Sequence, residues 1–317
     1  MALWLVTGGA GFIGSHTVDE LLERGASVRV LDDFSTGRRD NLQAALGHID
    51  LIEGDVAGLG TVREAVDGVD YVVHLAALPS VARSVEDPVA SNRANVVGTV
   101  NVLVAARDAG VRRVVYASSS SVYGDRPTLP KHEEMVTVPL SPYAVSKLAG
   151  EHYCQAFHRV YGLQTVALRY FNVFGPRQDP RSQYSAVIPK FIAAVLRGEP
   201  PEIHGDGHQS RDFTYVANVV QANLLACESP DGIGEVFNVG CGERHTLLEL
   251  VSNLQEIMRS AIEPRFTDAR PGDVRHSLAD ISRIERAMGY EPEVSFREGL
   301  RSSVEWYSGR GSATTPR

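Results

Sequence analysis

The sequence predicts an α/β protein, a doubly wound parallel sheet with a smaller C-terminal α/β lobe. Three observations predict it. Short apolar runs alternate with amphipathic stretches over the first two-thirds of the chain. A glycine-rich turn directly follows the first apolar run. After about Phe174 the rhythm breaks, and proline and glycine become denser. Strand–helix alternation calls for right-handed crossovers, which build a parallel sheet covered on both faces.

In chain order, residues 2–6, 27–31, 50–53, 71–75, 113–117 and 165–168 read as buried strands. Helical patterns lie between them at 12–24, Leu59–Val66, 89–109 and Pro142–Tyr161. Two strand–helix pieces follow, Val236–Val239 with Leu247–Met258 and Arg265–Thr267 with 281–288. The expected organisation is a nucleotide-binding domain over 1–175 and a ligand-binding lobe over 176–308. Segments near 212–240 return to the sheet, and 309–317 form a small, polar, flexible tail.

Composition narrows the function. The chain has 317 residues and a formal charge of -8, which argues against a nucleic-acid or anionic-membrane surface. The run Phe213 to Cys227 carries no charged side chain but falls short of the ~20 residues that span a bilayer. Cys154, Cys227 and Cys241 are odd in number and form no CxxC pair, so neither a disulfide framework nor a zinc site is indicated, and a reducing cytoplasm fits. His132-Glu133-Glu134-Met135 is not HExxH, and no metal is expected.

The turn Gly8-Gly9-Ala10-Gly11-Phe12-Ile13-Gly14 satisfies GxGxxG between a strand and a helix. Glycine lets backbone approach a pyrophosphate, and the helix N-terminus offers N–H donors to it. This is the mark of a Rossmann-type dinucleotide site. Asp32 ends the second strand, 18 residues after Gly14, where a carboxylate accepts from the adenosine ribose and favours NAD over NADP. Arg38 and Arg39 nearby leave NADP open. Asp55 ends the third strand and can accept from adenine. Leu75, Ala76 and Ala77 let a cofactor lie close. The candidate cofactor set is completed by Phe12, Ile13, Ser35, Thr36, Gly37, Val56, Asn95 and Tyr170.

Ser141-Pro142-Tyr143-Ala144-Val145-Ser146-Lys147 reads as a capped helix start with Tyr143 and Lys147 one turn apart. An ammonium there lowers the phenol pKa, and a phenolate is a general base for an alcohol proton. Ser118 to Ser121 stand at the C-terminal end of a strand, where open α/β sheets bind ligands.

With these pieces the chain resembles the extended short-chain dehydrogenase/reductase family over nearly its whole length. The likeness rests on Gly8–Gly14, on Ser118 to Ser121 with Val122-Tyr123-Gly124, on Tyr143 and Lys147, and on Arg169-Tyr170-Phe171-Asn172-Val173-Phe174-Gly175-Pro176. It continues in Arg211-Asp212-Phe213 and Arg270-Pro271-Gly272-Asp273-Val274. Within the family it looks most like the UDP-sugar 4-epimerases, particularly bacterial members acting on UDP-N-acetylhexosamines.

The resemblance implies tightly bound NAD, a catalytic Ser119, Tyr143 and Lys147, and Asn95 as a support. It implies Ser80 and Ser120 near the sugar, Asn172 at the sugar diphosphate, Arg211 and Arg270 clamping the diphosphate, and Asp273 on the uridine ribose. Val187 joins the candidate substrate set. Ser277 falls where glucose-restricted relatives carry a bulky tyrosine, so an N-acetyl group should fit. A cytoplasmic homodimer joined by the helices 89–109 and Pro142–Tyr161 is also implied.

The expected activity is therefore that of an isomerase interconverting UDP-GlcNAc with UDP-GalNAc, and UDP-Glc with UDP-Gal, through a 4-keto sugar. Dehydratases of the family carry an Asp-Glu pair after the catalytic Thr, and decarboxylases a Glu at the place of Ser121; here those places hold Ser120 and Ser121. Two rivals stay open. A UDP-glucuronate 4-epimerase needs a cation near the sugar C6, for which Arg181 and Arg83 are candidates. A non-catalytic NAD-sensing protein has no need of Ser119, Tyr143 and Lys147 together.

Overall fold

The computed structural model describes residues 2–180, 186–268 and 274–313. The first half alternates as β1 (Leu3–Thr7), α1 (Phe12–Glu23), β2 (Ser27–Asp32), β3 (Ile49–Glu53), α2 (Leu59–Val66), β4 (Tyr71–His74), α3 (Val81–Glu86), α4 (Pro88–Asn92), α5 (Gly98–Asp108), β5 (Arg113–Ser119), α6 (Pro142–Tyr161) and β6 (Gln164–Tyr170). The second half runs β7 (Val173–Phe174), α7 (Val187–Leu196), β8 (Glu202–His204), β9 (Ser210–Arg211), β10 (Thr214–Tyr215), α8 (Val216–Glu228), β11 (Val236–Val239), β12 (His245–Thr246), α9 (Leu247–Met258), β13 (Arg265–Thr267), α10 (Ser282–Met288) and α11 (Phe296–Ala313).

Seven strands form one parallel sheet in the order β3-β2-β1-β4-β5-β6-β11. The order reverses between β1 and β4, which opens a crevice at the strand ends. Period-two alternation divides the core. Trp4 and Val6 of β1 pack with Val18 and Leu21 of α1 and Val219 and Val220 of α8. Leu5 faces the other way, among Val62, Val102, Leu103 and Phe157 of α2, α5 and α6. A separate cluster of Ile188, Phe191, Phe213, Leu250, Phe296 and Leu300 fills the C-terminal lobe.

Three differences from the sequence reading stand out. The single helix expected over 89–109 is broken into α4, a π-turn at Arg93–Val97, and α5. The Thr99 hydroxyl takes the Asn95 carbonyl at 2.6 Å, and the Asn95 side chain turns inward to the Leu78 backbone and Ser146. Competition of this kind bends helices, and π-turns are frequent at functional sites. The helix α8 gave no amphipathic signal because it carries no charge before Glu228 and is buried along most of its length. The helix α11 continues through Ala313, past the start of the expected flexible tail; residues 314–317 lie outside the described residues.

Under the ends of β5 and β6 lies a buried ion pair. Arg169 meets Glu151 at 2.8 Å, with 6% and 2% of the side chains exposed, and Ser118 donates its hydroxyl to the same carboxylate. Arg169 also donates to the Tyr123 hydroxyl, which donates to Asn238 of β11. The pair thus joins α6 to three strands. Removing one partner strands the other charge in the core. Arg169→Met is predicted to cost about 3–5 kcal/mol, read as a lower urea midpoint in equilibrium unfolding.

Candidate active site

A cleft of about 450 Å³ opens along the C-terminal ends of β1, β2, β4 and β5. Gly8, Gly11, Phe12, Ile13 and Gly14 form its floor. Glycine is required at Gly14, because a Cβ there would stand 2.1 Å from the Gly8 carbonyl oxygen. Gly8 has φ +70° and approaches Ala76 so closely that a Cβ would meet its nitrogen at 2.8 Å. The sequence folds this way because no side chain fits between the turn and the end of β4. What remains is a row of N–H groups at the start of α1 that can face a diphosphate.

Asp32 ends β2 on the cleft wall. Its two oxygens accept from the backbone N–H groups of Ala10 and Phe34, both at 2.8 Å, and burial raises its pKa. Beside it, Asn41 holds the Ala10 carbonyl through Nδ2, while its Oδ1 is buried without a protein partner. Arg177 pairs with Asp19 through Nη2, and its Nη1 is likewise buried and unmatched. An unmatched acceptor and an unmatched donor on one cleft wall fit a polar ligand with hydroxyl and phosphate groups. Arg39 is engaged elsewhere, paired to Glu53 and stacked over Phe34, and does not line the cleft. Arg38 lines it and pairs with Asp40 and Asp179. Asp55 lines it too, but one of its oxygens meets Arg93 at 3.0 Å.

Every candidate cofactor residue lines this cleft except Gly37 and Asn95: Gly8, Gly11, Phe12, Ile13, Gly14, Asp32, Ser35, Thr36, Asp55, Val56, Leu75, Ala76, Ala77, Tyr143, Lys147 and Tyr170. At Gly37 a Cβ would stand 2.8 Å from Asp32 Oδ1, so the chain passes close to that carboxylate. Asn95 acts one layer back. It accepts from the Leu78 N–H at 2.8 Å and donates to Ser146 at 3.0 Å, and Ser146 donates to the Tyr143 carbonyl. Residues absent from the sequence reading also line the cleft, among them Asn41, Arg93 and Arg177. Lone polar residues in loops give no periodic signal, so only the folded geometry reveals them.

The catalytic candidates meet where β5 ends and α6 begins. Ser141 caps α6 by accepting from Ala144, and Pro142 takes the first turn. Lys147 is buried and donates from Nζ to the Ala117 carbonyl at 2.8 Å. Burial lowers its pKa to about 8. Tyr143 differs from expectation. Its phenol is raised, not lowered, because burial outweighs the hydrogen bond from Ser119 that pulls it down. Lys147 Nζ lies 5.9 Å from the ring centre and spends its close contact on Ala117, so it does not offset that burial. His74, wholly buried between Thr7 and Thr99, is held neutral with a pKa of about 3, by burial first and then by the Lys147 charge. His74 therefore adds no second positive charge beside Lys147.

One positioning residue escaped the sequence reading. Ser84 of α3 accepts the Tyr143 N–H at 3.0 Å and donates to the Val81 carbonyl. This ties α3 to the first turn of α6, whose N–H groups have no partner within the helix.

The substrate candidates lie off the lining of the large cleft. Ser80 has φ +102° and caps α3 by accepting from Arg83. Ser119 caps a short 3-10 turn that begins with Ser120, while the Ser121 hydroxyl is buried without a partner. Val187 opens α7 against the C-terminal core. Asn172 donates to the Asp212 carbonyl at 3.1 Å and to Ser277 Oγ at 3.4 Å, and Arg211 donates to the carbonyls of Ser210 and Arg275. These last three candidates thus share one corner. Arg270, Asp273 and Arg181 lie outside the described residues.

Ser84→Ala leaves the Tyr143 N–H without its acceptor. A loss of about 1–3 kcal/mol is expected in thermal or urea unfolding, with Ser84→Thr, which keeps the hydroxyl, nearer to wild type.

Comparison with known proteins agrees with this geometry. A family model described as "NAD dependent epimerase/dehydratase family" matches residues 4–240. A UDP-glucose 4-epimerase of Mycolicibacterium smegmatis is 41% identical over 311 residues, covering 96% of this chain and 97% of its own. A UDP-N-acetylglucosamine 4-epimerase from Methanobrevibacter ruminantium, solved with UDP-N-acetylmuramic acid, is similar with a TM-score of 0.94 and 42% identity, covering 98% and 99% of the two chains. A UDP-glucuronic acid 4-epimerase from Bacillus cereus, solved with UDP-glucuronic acid and NAD, gives a TM-score of 0.90 at 33% identity, covering 97% and 99%.

Proposed function

The chain belongs to the NAD dependent epimerase/dehydratase family, and from that premise we propose that it is an isomerase inverting C4 of UDP-hexoses with tightly held NAD. Its substrates are UDP-GlcNAc and UDP-GalNAc, and also UDP-Glc and UDP-Gal. The observation that carries the reading is the meeting of Ser119, Tyr143 and Lys147 at the end of β5, beside a cleft whose glycine floor and Asp32 wall fit an adenine dinucleotide. In this reading 1–175 is mainly the cofactor domain and 176–308 mainly the UDP-sugar lobe.

Tyr143 takes the proton of the sugar 4-hydroxyl while Ser119 hydrogen-bonds the same oxygen. NAD, when bound, would supply the hydride acceptor for C4, held by the cleft that Asp32, Tyr143 and Lys147 line. Lys147 keeps its ammonium beneath the phenol, anchored to Ala117. Asn172, Arg211, Arg270 and Asp273 hold the UDP, and a guanidinium grips a diphosphate in two places at once. The 4-keto sugar is gripped loosely, turns about its bond to the diphosphate, and regains hydrogen on the opposite face. Ser120 and Ser121, carrying no acid or base, leave elimination and decarboxylation without their catalysts.

Ser277 supports the wider substrate range. It is small and lies beside Asn172, so a large side chain there would intrude on the sugar corner. A homodimer in a reducing cytoplasm completes the proposal. Exposed Val89, Val97, Val145, Tyr153 and Tyr161 on the paired helical layer support the former, and three unpaired cysteines the latter.

Incubation with UDP-GlcNAc, UDP-Glc and UDP-GlcA separately, without added NAD, tests the reading by proton NMR at C1 and C4. UDP-GalNAc and UDP-Gal are the expected products. Inversion of UDP-GlcA alone would favour the glucuronate rival. Tyr143→Phe is expected to lower kcat by ~10²–10⁴ with folding intact; retained turnover would remove the phenol from the mechanism. Ser277→Tyr is expected to lower kcat/KM for UDP-GlcNAc by about tenfold or more while sparing UDP-Glc.

A further inference from the structure

We infer that Asp212 is a positioning residue for UDP-sugar binding, a buried carboxylate knot that fixes the corner holding Asn172, Arg211 and Ser277. The inference rests on the epimerase reading for the identity of the ligand.

The side chain is fully buried and makes no ion pair among the described residues. Three backbone N–H groups converge on it instead. Cys241 donates to Oδ1 at 2.8 Å; Gly242 and Ala279 donate to Oδ2, each at 3.1 Å. These donors come from the turn after β11 and from the segment leading to α10. Asp212 itself lies in the link between β9 and β10. One carboxylate therefore joins three segments that are far apart in sequence.

Two of these segments carry a substrate candidate, and a third candidate is bonded to the Asp212 backbone. Arg211 precedes Asp212. Asn172 is bonded to the Asp212 carbonyl and held at φ +33°. Ser277 lies two residues before Ala279, and its N–H donates to the Ser210 carbonyl at 3.0 Å. Loosening the knot shifts all three together. An amide cannot replace the carboxylate, since its NH2 would face N–H donors.

The titratable groups that interact with Asp212 are Cys241, Glu243 and Tyr290, and Arg211 adjoins it in the chain. Burial holds the Cys241 thiol at about 12 and the Tyr290 phenol well above its usual range. Asp212 is itself raised to about 6 by burial, which outweighs the three hydrogen bonds. Below about pH 6 it gains a proton, and an O–H replaces an acceptor opposite an N–H. His276 has a lowered pKa and contacts Ser210, so it needs its own control.

The experiment uses Asp212→Asn and, from the opposite side, Gly240→Ala. A Cβ on Gly240 would stand 2.9 Å from Asp212 Oδ2 and 2.7 Å from the Ala279 methyl. Calorimetric binding of UDP and steady-state kinetics on the best UDP-hexose are measured for each, with bound NAD and thermal midpoint as controls. Both variants are expected to weaken UDP binding and raise KM about tenfold, with kcat changed less than about threefold and NAD content unaltered. In wild type and in His276→Gln, KM rises as pH falls through about 6; in Asp212→Asn that rise is gone.

Wild-type UDP affinity and KM in both variants would overturn the inference. So would kcat falling in step with the folded fraction while KM stays constant, or an acid rise that survives Asp212→Asn. If the wild type neither binds UDP nor turns over any UDP-hexose, the epimerase reading fails first and the inference falls with it.

Discussion

The close contact between the Gly8–Gly14 turn and the end of β4 is the constraint on which the rest depends. Parallel strands must all end on one edge, and the reversal of order beside β1 leaves a crevice there. A turn without side chains lets backbone donors line that crevice: a Cβ on Gly8 would meet the Ala76 nitrogen at 2.8 Å, and one on Gly14 would stand 2.1 Å from the Gly8 carbonyl oxygen. The same edge delivers Ser118 and Ser119 at the end of β5 and receives Tyr143 and Lys147 from the first turns of α6. Chemistry and cofactor site are thus two consequences of one sheet geometry.

Buried charge is handled in two ways around this edge. Glu151 and Arg169 neutralise each other under the strand ends, with Ser118 and Tyr123 taking up remaining hydrogen-bonding capacity. Asp32, Lys147 and Asp212 are stabilised largely by backbone dipoles: two N–H groups, one carbonyl and three N–H groups respectively. Backbone partners cannot swing away as side chains can, so each group is held in register with the sheet. Burial meanwhile moves all three pKa values toward the neutral forms. The same physics raises the pKa of the Tyr143 phenol.

Much of this was legible in the sequence. Buried parallel strands are continuous apolar runs, and β1 to β6 were recognisable as such, with ends off by one or two residues. The glycine turn, Asp32 and the Tyr143/Lys147 pair were legible because their spacing is set by local geometry. Other features depend on contacts between distant segments. The inward turn of Asn95, which breaks the helix expected over 89–109, needs Leu78 and Ser146. Ser84 matters only because α3 packs on the start of α6. Asp212 stood inside a recognised motif, but its carboxylate gained meaning only when Cys241, Gly242 and Ala279 closed around it. The sign of the Tyr143 shift also escaped, because spacing shows a neighbour but not the burial that outweighs it.

The central claim is that oxidation and reduction occur at C4 of one UDP-hexose within a single cofactor residence. A UDP-hexose deuterated at C4, incubated with purified protein and no added NAD, tests it most directly. The account predicts an inverted product that keeps its deuterium at C4, with none released to solvent or to an external cofactor. Loss of the label during inversion, or inversion that requires exchangeable NAD, would contradict it.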